Sequence, residues 1–164
     1  MSTRQLFATA TYGNNAALLL QVYDIADSVL QPIKGVLGLR YSLSYQPVPS
    51  IITSFAAKSG GNPLGLDPSD GNNILVLITI SWLLPGDDAA VRAQAQSLFR
   101  QGNALAQGMG LLNDWKYLNY AAEWQDPIAG YGAANKAKLQ AASKKYDPAQ
   151  IFQKQVPGGF KLFK

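Results

Sequence analysis

The order of apolar and polar positions divides the chain into a few clear elements. Between Leu6 and Tyr12 the side chains alternate, with Phe7, Thr9 and Thr11 on one side and Leu6, Ala8 and Tyr12 on the other. A period of two predicts a strand. Gly13, Asn14 and Asn15 then break the pattern and offer a helix N-cap. From about Ala16 to Leu30 the apolar residues Leu18, Val22, Ile25 and Val29 recur every third or fourth position, which predicts an amphipathic helix ended by Pro32 and Gly35. Leu39 to Gln46 alternates most cleanly: Leu39, Tyr41, Leu43 and Tyr45 form one set and Arg40, Ser42, Ser44 and Gln46 the other. This predicts a half-buried strand stopped by Pro47 and Pro49.

Ile51 to Lys58 has the length of a short helix. A glycine-rich stretch, Ser59 to Asp67, follows; it lacks the Gly-Lys-Ser/Thr ending of a phosphate loop and reads as a turn needing positive φ. Ile74 to Trp82 is rich in β-branched residues and predicts a central strand. Pro85, Gly86, Asp87 and Asp88 make a turn and N-cap, and a long helix is expected over about Ala89 to Met109, with Val91, Ala95, Leu98, Leu105 and Met109 on one face. Strand, helix, strand, strand, helix implies an α+β fold of the ferredoxin-like kind, an antiparallel sheet with helices on one face. The expected organisation is one unit over residues 1–164: a core over 1–116 and an extended C-terminal tail over 117–164 with one helix from about Gly132 to Lys145.

Composition narrows the chemistry. The chain of 164 residues contains neither cysteine nor histidine, which removes disulfides, thiolate metal sites, Cys nucleophiles and Ser-His triads. Glu123 is the single glutamate, and most aspartates sit in turn-like contexts. No metal site is expected. The net charge of +4 is concentrated in the tail, but its lysines are dispersed without an arginine cluster, so a solvated helix face is expected rather than nucleic-acid binding. The longest apolar run, Ile74 to Ile80, is far short of a membrane span, and no signal peptide is visible, so the expectation is a cytoplasmic chain without a membrane partner.

The tail carries the most distinctive motifs. It contains Tyr117-Leu118-Asn119-Tyr120, Gln125-Asp126-Pro127-Ile128, Lys145-Tyr146-Asp147-Pro148 and a closing Pro157-Gly158-Gly159-Phe160-Lys161-Leu162, with Gly60-Gly61-Asn62-Pro63-Leu64-Gly65-Leu66 upstream. In this order, over roughly Leu6 to Leu162, they resemble the C-terminal part of fungal FAD-linked oxidases of the berberine bridge enzyme and 6-hydroxynicotine oxidase group. The resemblance implies the substrate-side portion of a two-domain oxidoreductase whose sheet lies over the flavin ring. It also implies that the FAD-binding domain is absent from this chain. No cofactor is then expected to be held by this chain alone, FAD entering only if a partner chain supplies that domain. Without His or Cys the chain cannot attach a flavin covalently.

Two groups of site residues follow. The strand pattern offers Arg40, Ser42 and Ser44, with Thr79 and Ser81, as a polar sheet face able to bind substrate; periodicity defines the two sets without saying which lies inside. The resemblance places Tyr117, Asn119 and Tyr120 near flavin and substrate, with Asn119 hydrogen-bonding either one and Tyr120 or Tyr117 acting as donor or weak acid. These tyrosines can equally be core residues of a short strand. Three functions remain open: a split oxidase needing a FAD-domain partner, a cofactor-free cyclase acting on a polyketide-like small molecule, and a non-catalytic binding protein. Exposure of an apolar interface would favour a homodimer.

Overall fold

A computed structural model describes residues 3–163. Four strands, β1 (Arg4–Gly13), β2 (Arg40–Val48), β3 (Asn73–Trp82) and β4 (Leu112–Asn113), form one sheet in the order β2-β3-β1-β4. Every pairing is antiparallel. The long helices α1 (Ala16–Leu30) and α3 (Asp88–Gly108) occupy the two crossover positions, giving the α+β, ferredoxin-like architecture. A short helix α2 (Ser50–Lys58) is inserted before β3, and α4 (Ala133–Tyr146) and α5 (Ile151–Lys154) belong to the tail. No described helix is long and apolar enough to cross a membrane.

Local chemistry explains the boundaries. The Asn15 side chain accepts from the Leu18 N–H at 3.0 Å and caps α1 as its position predicts. Asp87 precedes α3 without a side-chain capping bond; Asp88 instead accepts from Arg4 and from Trp82 Nε1, which ties the start of α3 to the ends of β1 and β3. The buried stripe of α3 runs through Val91, Ala95, Leu98, Phe99, Gly102 and Ala106. The expected Met109 lies beyond the helix end and is exposed.

Pro47 does not stop β2, which continues to Val48. The direction of the backbone groups gives the reason. Thr9 exchanges both its N–H and its C=O with the Gln125 side chain, on the side of β1 away from β3. Even-numbered residues of β1 therefore face β3, where they meet even-numbered partners such as Ala8↔Ile78. The odd-numbered residues of β3 face β2 and meet its even-numbered residues, as in Ser44↔Leu77. Odd-numbered residues of β2 point outward, so the N–H that Pro47 lacks falls on the free edge.

One sheet face carries the main core. Ala8, Ala10, Tyr12, Val76, Ile78 and Ile80 pack there against Leu18, Val22 and Ala26 of α1 and Val91, Ala95 and Leu98 of α3. Tyr45 belongs to this face, its hydroxyl donating to the Leu19 carbonyl at 3.0 Å. The ambiguity of β2 is thus resolved: Leu43 and Tyr45 meet the helices, while Arg40, Ser42 and Ser44 look the other way.

The tail folds back over half of that second face. Leu75 packs with Trp115 and Tyr131, and Val48, Leu66, Tyr117, Tyr120 and Leu139 surround them. Thr9, Thr11, Leu75 and Leu77 are consequently buried although no core helix covers them. Each large apolar side chain buried in this way stabilises the fold by roughly 1.5–3 kcal/mol. The segment at Leu118–Tyr120 is a 3-10 turn and not the short strand that alternation allowed, because Tyr120 N–H closes on the Tyr117 carbonyl at 3.0 Å. Gly65, at φ 78°, lies against the tail: a Cβ there would stand 2.6 Å from the Tyr131 carbonyl oxygen.

Candidate functional site

The half of the second sheet face left uncovered by the tail is the candidate site. A shallow cleft of about 310 Å³ is lined by Gln5, Phe7, Arg40, Tyr41, Ser42, Thr79, Ile80 and Ser81. The register explains the grouping: Arg40 pairs with Ser81 and Ser42 with Thr79 across β2 and β3, and Thr79 pairs with Phe7 across β3 and β1. Gln5 and Phe7 also line a larger cleft of about 660 Å³, bounded by Arg4, Trp82, Asp88, Arg92, Asn119 and the segment Ala121 to Trp124. The two clefts therefore meet over the first half of β1.

Of the residues named from the sequence, Arg40, Ser42, Thr79 and Ser81 share the smaller cleft and Asn119 lines the larger. Ser44 lies further along the same face, its hydroxyl 3.5 Å from that of Ser42. Tyr117 and Tyr120 line neither cleft. They pack edge to face, with ring centroids 4.8 Å apart, inside the cluster that covers Leu75. Tyr117 connects to the cleft through its hydroxyl, which accepts from Asn119 Nδ2 at 2.9 Å. That contact fixes the amide and leaves its carbonyl oxygen without a partner among the described residues.

Three contributors escaped the sequence reading. Gln5 and Phe7 reach the site because β1 pairs with β3, a long-range fact; the signal available was that Phe7 alternates in phase with Thr9 and Thr11. Gln125 shapes the site from outside. Its Oε1 accepts from Thr9 N–H at 3.1 Å and from Ala122 N–H at 2.9 Å, and its Nε2 donates to the Thr9 carbonyl at 2.7 Å. The side chain thus acts as a further rung on the edge of β1 and holds the 119–124 segment in place.

The electrostatics of the larger cleft come from two ion pairs, Arg4 with Asp88 and Arg92 with Glu123. Hydrogen bonding from Arg4 holds the Asp88 carboxyl below the usual carboxylate range. The Arg92 guanidinium also lies 5.7 Å from the centre of the Trp124 ring. The cleft is therefore charged at its rim but balanced. Among the described residues no group of three or more Asp or Glu side chains is disposed to hold a metal ion. The start of α3, where a phosphate would seek free N–H groups, carries Asp87 and Asp88. Those carboxylates do not suit a dinucleotide pyrophosphate.

Comparison with known proteins finds FAD-linked relatives. A FAD-dependent monooxygenase of Aspergillus calidoustus is 36% identical over 164 residues, covering 98% of this chain and 31% of that protein. One from Fusarium proliferatum is 37% identical over 166 residues, covering 97% of this chain and 32% of its own length. The bifunctional solanapyrone synthase of Alternaria solani is 30% identical over 160 residues, with 98% and 31% covered. The chain spans about a third of the length of these relatives. It is homologous to one part of larger FAD-linked proteins. No family model matches the chain, and no solved structure matches it at a significant level.

Proposed function

We propose that this chain is the substrate-side portion of a FAD-linked oxidoreductase of the berberine bridge type, and that these 164 residues act as an oxidase only together with a FAD-binding domain. The observation that carries this reading is the half-covered sheet. The tail buries Leu75 and Leu77 and stops short of Gln5, Phe7, Arg40, Ser42, Thr79 and Ser81, which leaves a polar, partly aromatic face open. A flavin bound opposite that face would supply the two-electron redox chemistry. This chain would bind and orient the substrate through Arg40, Ser42, Thr79 and Ser81. The unpaired carbonyl oxygen of Asn119 would accept an N–H from either the flavin ring edge or the substrate, and Tyr117 would hold that amide in place.

The test is to mix the purified chain with FAD and separate the components by gel filtration. The chain should elute colourless. It should carry flavin absorbance only when the remaining two thirds of a relative is supplied in trans. Stoichiometric flavin retained by the chain alone would sink the proposal. A cofactor-free cyclase is the second reading, and it is favoured by the relative named as a bifunctional synthase. Such a reaction needs shape and a few placed hydrogen bonds rather than a histidine or metal. Its test is stereoselective cyclisation of a candidate polyene without flavin; a racemic product identical to background would exclude it.

A further inference from the structure

The charges of the two joined clefts do not cancel. In the larger one Arg4 is paired with Asp88 and Arg92 with Glu123. No acidic residue lines the smaller one, and among the described residues the Arg40 side chain has no carboxylate partner. Three arginines thus face two carboxylates, and the excess positive charge sits at Arg40. A lone surface arginine is ordinarily no more than a solvated charge. Arg40 differs in what shares its face. Ser81 is its cross-strand partner, and Ser42 with Thr79 forms the next pair. The hydroxyls of Thr79 and Ser81 are half-buried and make no hydrogen bond among the described residues. That of Ser42 has only the Ser44 hydroxyl, at 3.5 Å. One guanidinium and three hydroxyls able to donate therefore line a single concave surface. Phe7 supplies its apolar part: it is 41% exposed and lies opposite Thr79 across β1 and β3.

We infer that the molecule bound on this face is a planar conjugated acid, its carboxylate held by Arg40 and the neighbouring serine hydroxyls and its ring system lying on Phe7. The inference rests on the reading of this face as the substrate side, and it names the chemical class of that substrate. A neutral ligand covering Arg40 would strip water from the guanidinium and return nothing; a cation would be repelled. A carboxylate accepts two parallel N–H bonds from the guanidinium fork, and its remaining lone pairs suit the hydroxyls. The register sets the length. Arg40 and Phe7 are two strand spacings apart across the sheet and two residues apart along it, about 12 Å between Cα atoms. The arginine side chain takes up part of that span, and a fused bicyclic ring with its carboxylate attached directly is long enough for the rest. Gln5 and Phe7 also line the larger cleft, so the end of the ligand away from Arg40 points towards Asn119 and Trp124. The acid is the anchor, and the opposite end is the part placed beside the Asn119 amide.

The probes that test this are 2-naphthoate and 2-naphthamide, which share ring and shape and differ in charge. Each is titrated at neutral pH into the isotope-labelled chain, and the backbone amide shifts are followed by NMR. Shifts should cluster at Phe7, Ser42 and Ser81. The naphthoate should bind at least about tenfold tighter than the amide, the ratio that hydrogen bonds to a charged group supply. R40Q should bring both compounds to the affinity that wild type has for the amide. R100Q removes an arginine of α3 that lies outside both clefts, and it should keep the preference in full. A preference lost equally in R100Q and R40Q would assign it to net charge and overturn the inference. Equal affinity of wild type for the two compounds, or no shift at the cleft with either, would also overturn it. The substrate-side reading is separable from these results, since it stands or falls on flavin retention.

Discussion

Replacing Gln125 by alanine removes three hydrogen bonds at once. The consequence is set by what they leave behind. Thr9 is fully buried, and both its N–H and its C=O depend on the Gln125 amide. Truncation deprives two buried backbone groups of partners, each at a cost of about 1–3 kcal/mol. Gln125 itself is half-buried, so water can reach part of the vacated space and the total should settle at about 2–4 kcal/mol. For a chain of this size each kcal/mol lowers the melting temperature by about 2–4 °C. The Ala122 bond is lost too, so the 119–124 segment should loosen and the larger cleft with it.

Urea unfolding followed by tryptophan fluorescence measures the first effect, and hydrogen exchange at Thr9 and Ala122 locates it. Gln125→Glu separates donor from acceptor. A carboxylate can still accept from Thr9 N–H and Ala122 N–H but cannot donate to the Thr9 carbonyl, which it would instead repel. At neutral pH this variant should be destabilised, and it should regain stability as the introduced carboxyl protonates and can donate again. If Gln125→Ala cost less than about 0.5 kcal/mol, the ordinary range for surface changes, the edge-rung role of Gln125 would be refuted.

The remaining predictions concern packing, ionisation and the cleft. Gly130→Ala would place a Cβ 2.2 Å from the Asp114 carbonyl oxygen, a backbone atom that cannot swing aside. It should cost at least about 3 kcal/mol by denaturant titration. Gly86→Ala, which meets nothing within 4 Å, should change stability little. Burial, with smaller contributions from Asp24 and Tyr23, pushes the Tyr45 hydroxyl up to about 12. The folded state therefore holds this proton more tightly than the unfolded chain, and the associated stability is complete below pH 10 and is lost as pH rises towards 12. Melting temperatures across that window should fall more steeply for wild type than for Tyr45→Phe. In the cleft, Arg40→Ala and Asn119→Ala should leave the melting temperature unchanged while weakening any ligand by about tenfold, the loss of about one hydrogen bond to a charged or fixed polar group. Isothermal titration would measure it, and unaltered affinity in both variants would remove these residues from the site.

The elements that could be read from the chain are those whose pattern repeats within them. Leu18, Val22 and Val29 mark α1, and the β-branched run marks β3, because burial of one face imposes a period on ten or more residues. β4 has two residues, too few for any period, and exists only because β1 offers an edge at Thr11 and Tyr12. Gln125 is less legible still. Its partner is 116 residues away, and nothing in Trp-Gln-Asp-Pro distinguishes a glutamine that completes a sheet from one in solvent. The candidate site divides along the same line. Arg40, Ser42, Thr79 and Ser81 follow from alternation once strands are assigned, because residues sharing a phase share a face. That this face is open at one end and closed at the other depends on where Trp115, Tyr117, Tyr120 and Tyr131 land, and their packing follows no period. Tyr117 and Tyr120 carry this lesson furthest. Their rings in this fold support the floor on which Asn119 stands. If they act on a ligand, they act through that amide, so Tyr117→Phe should change what Asn119 binds before it changes any ionisation seen by the substrate.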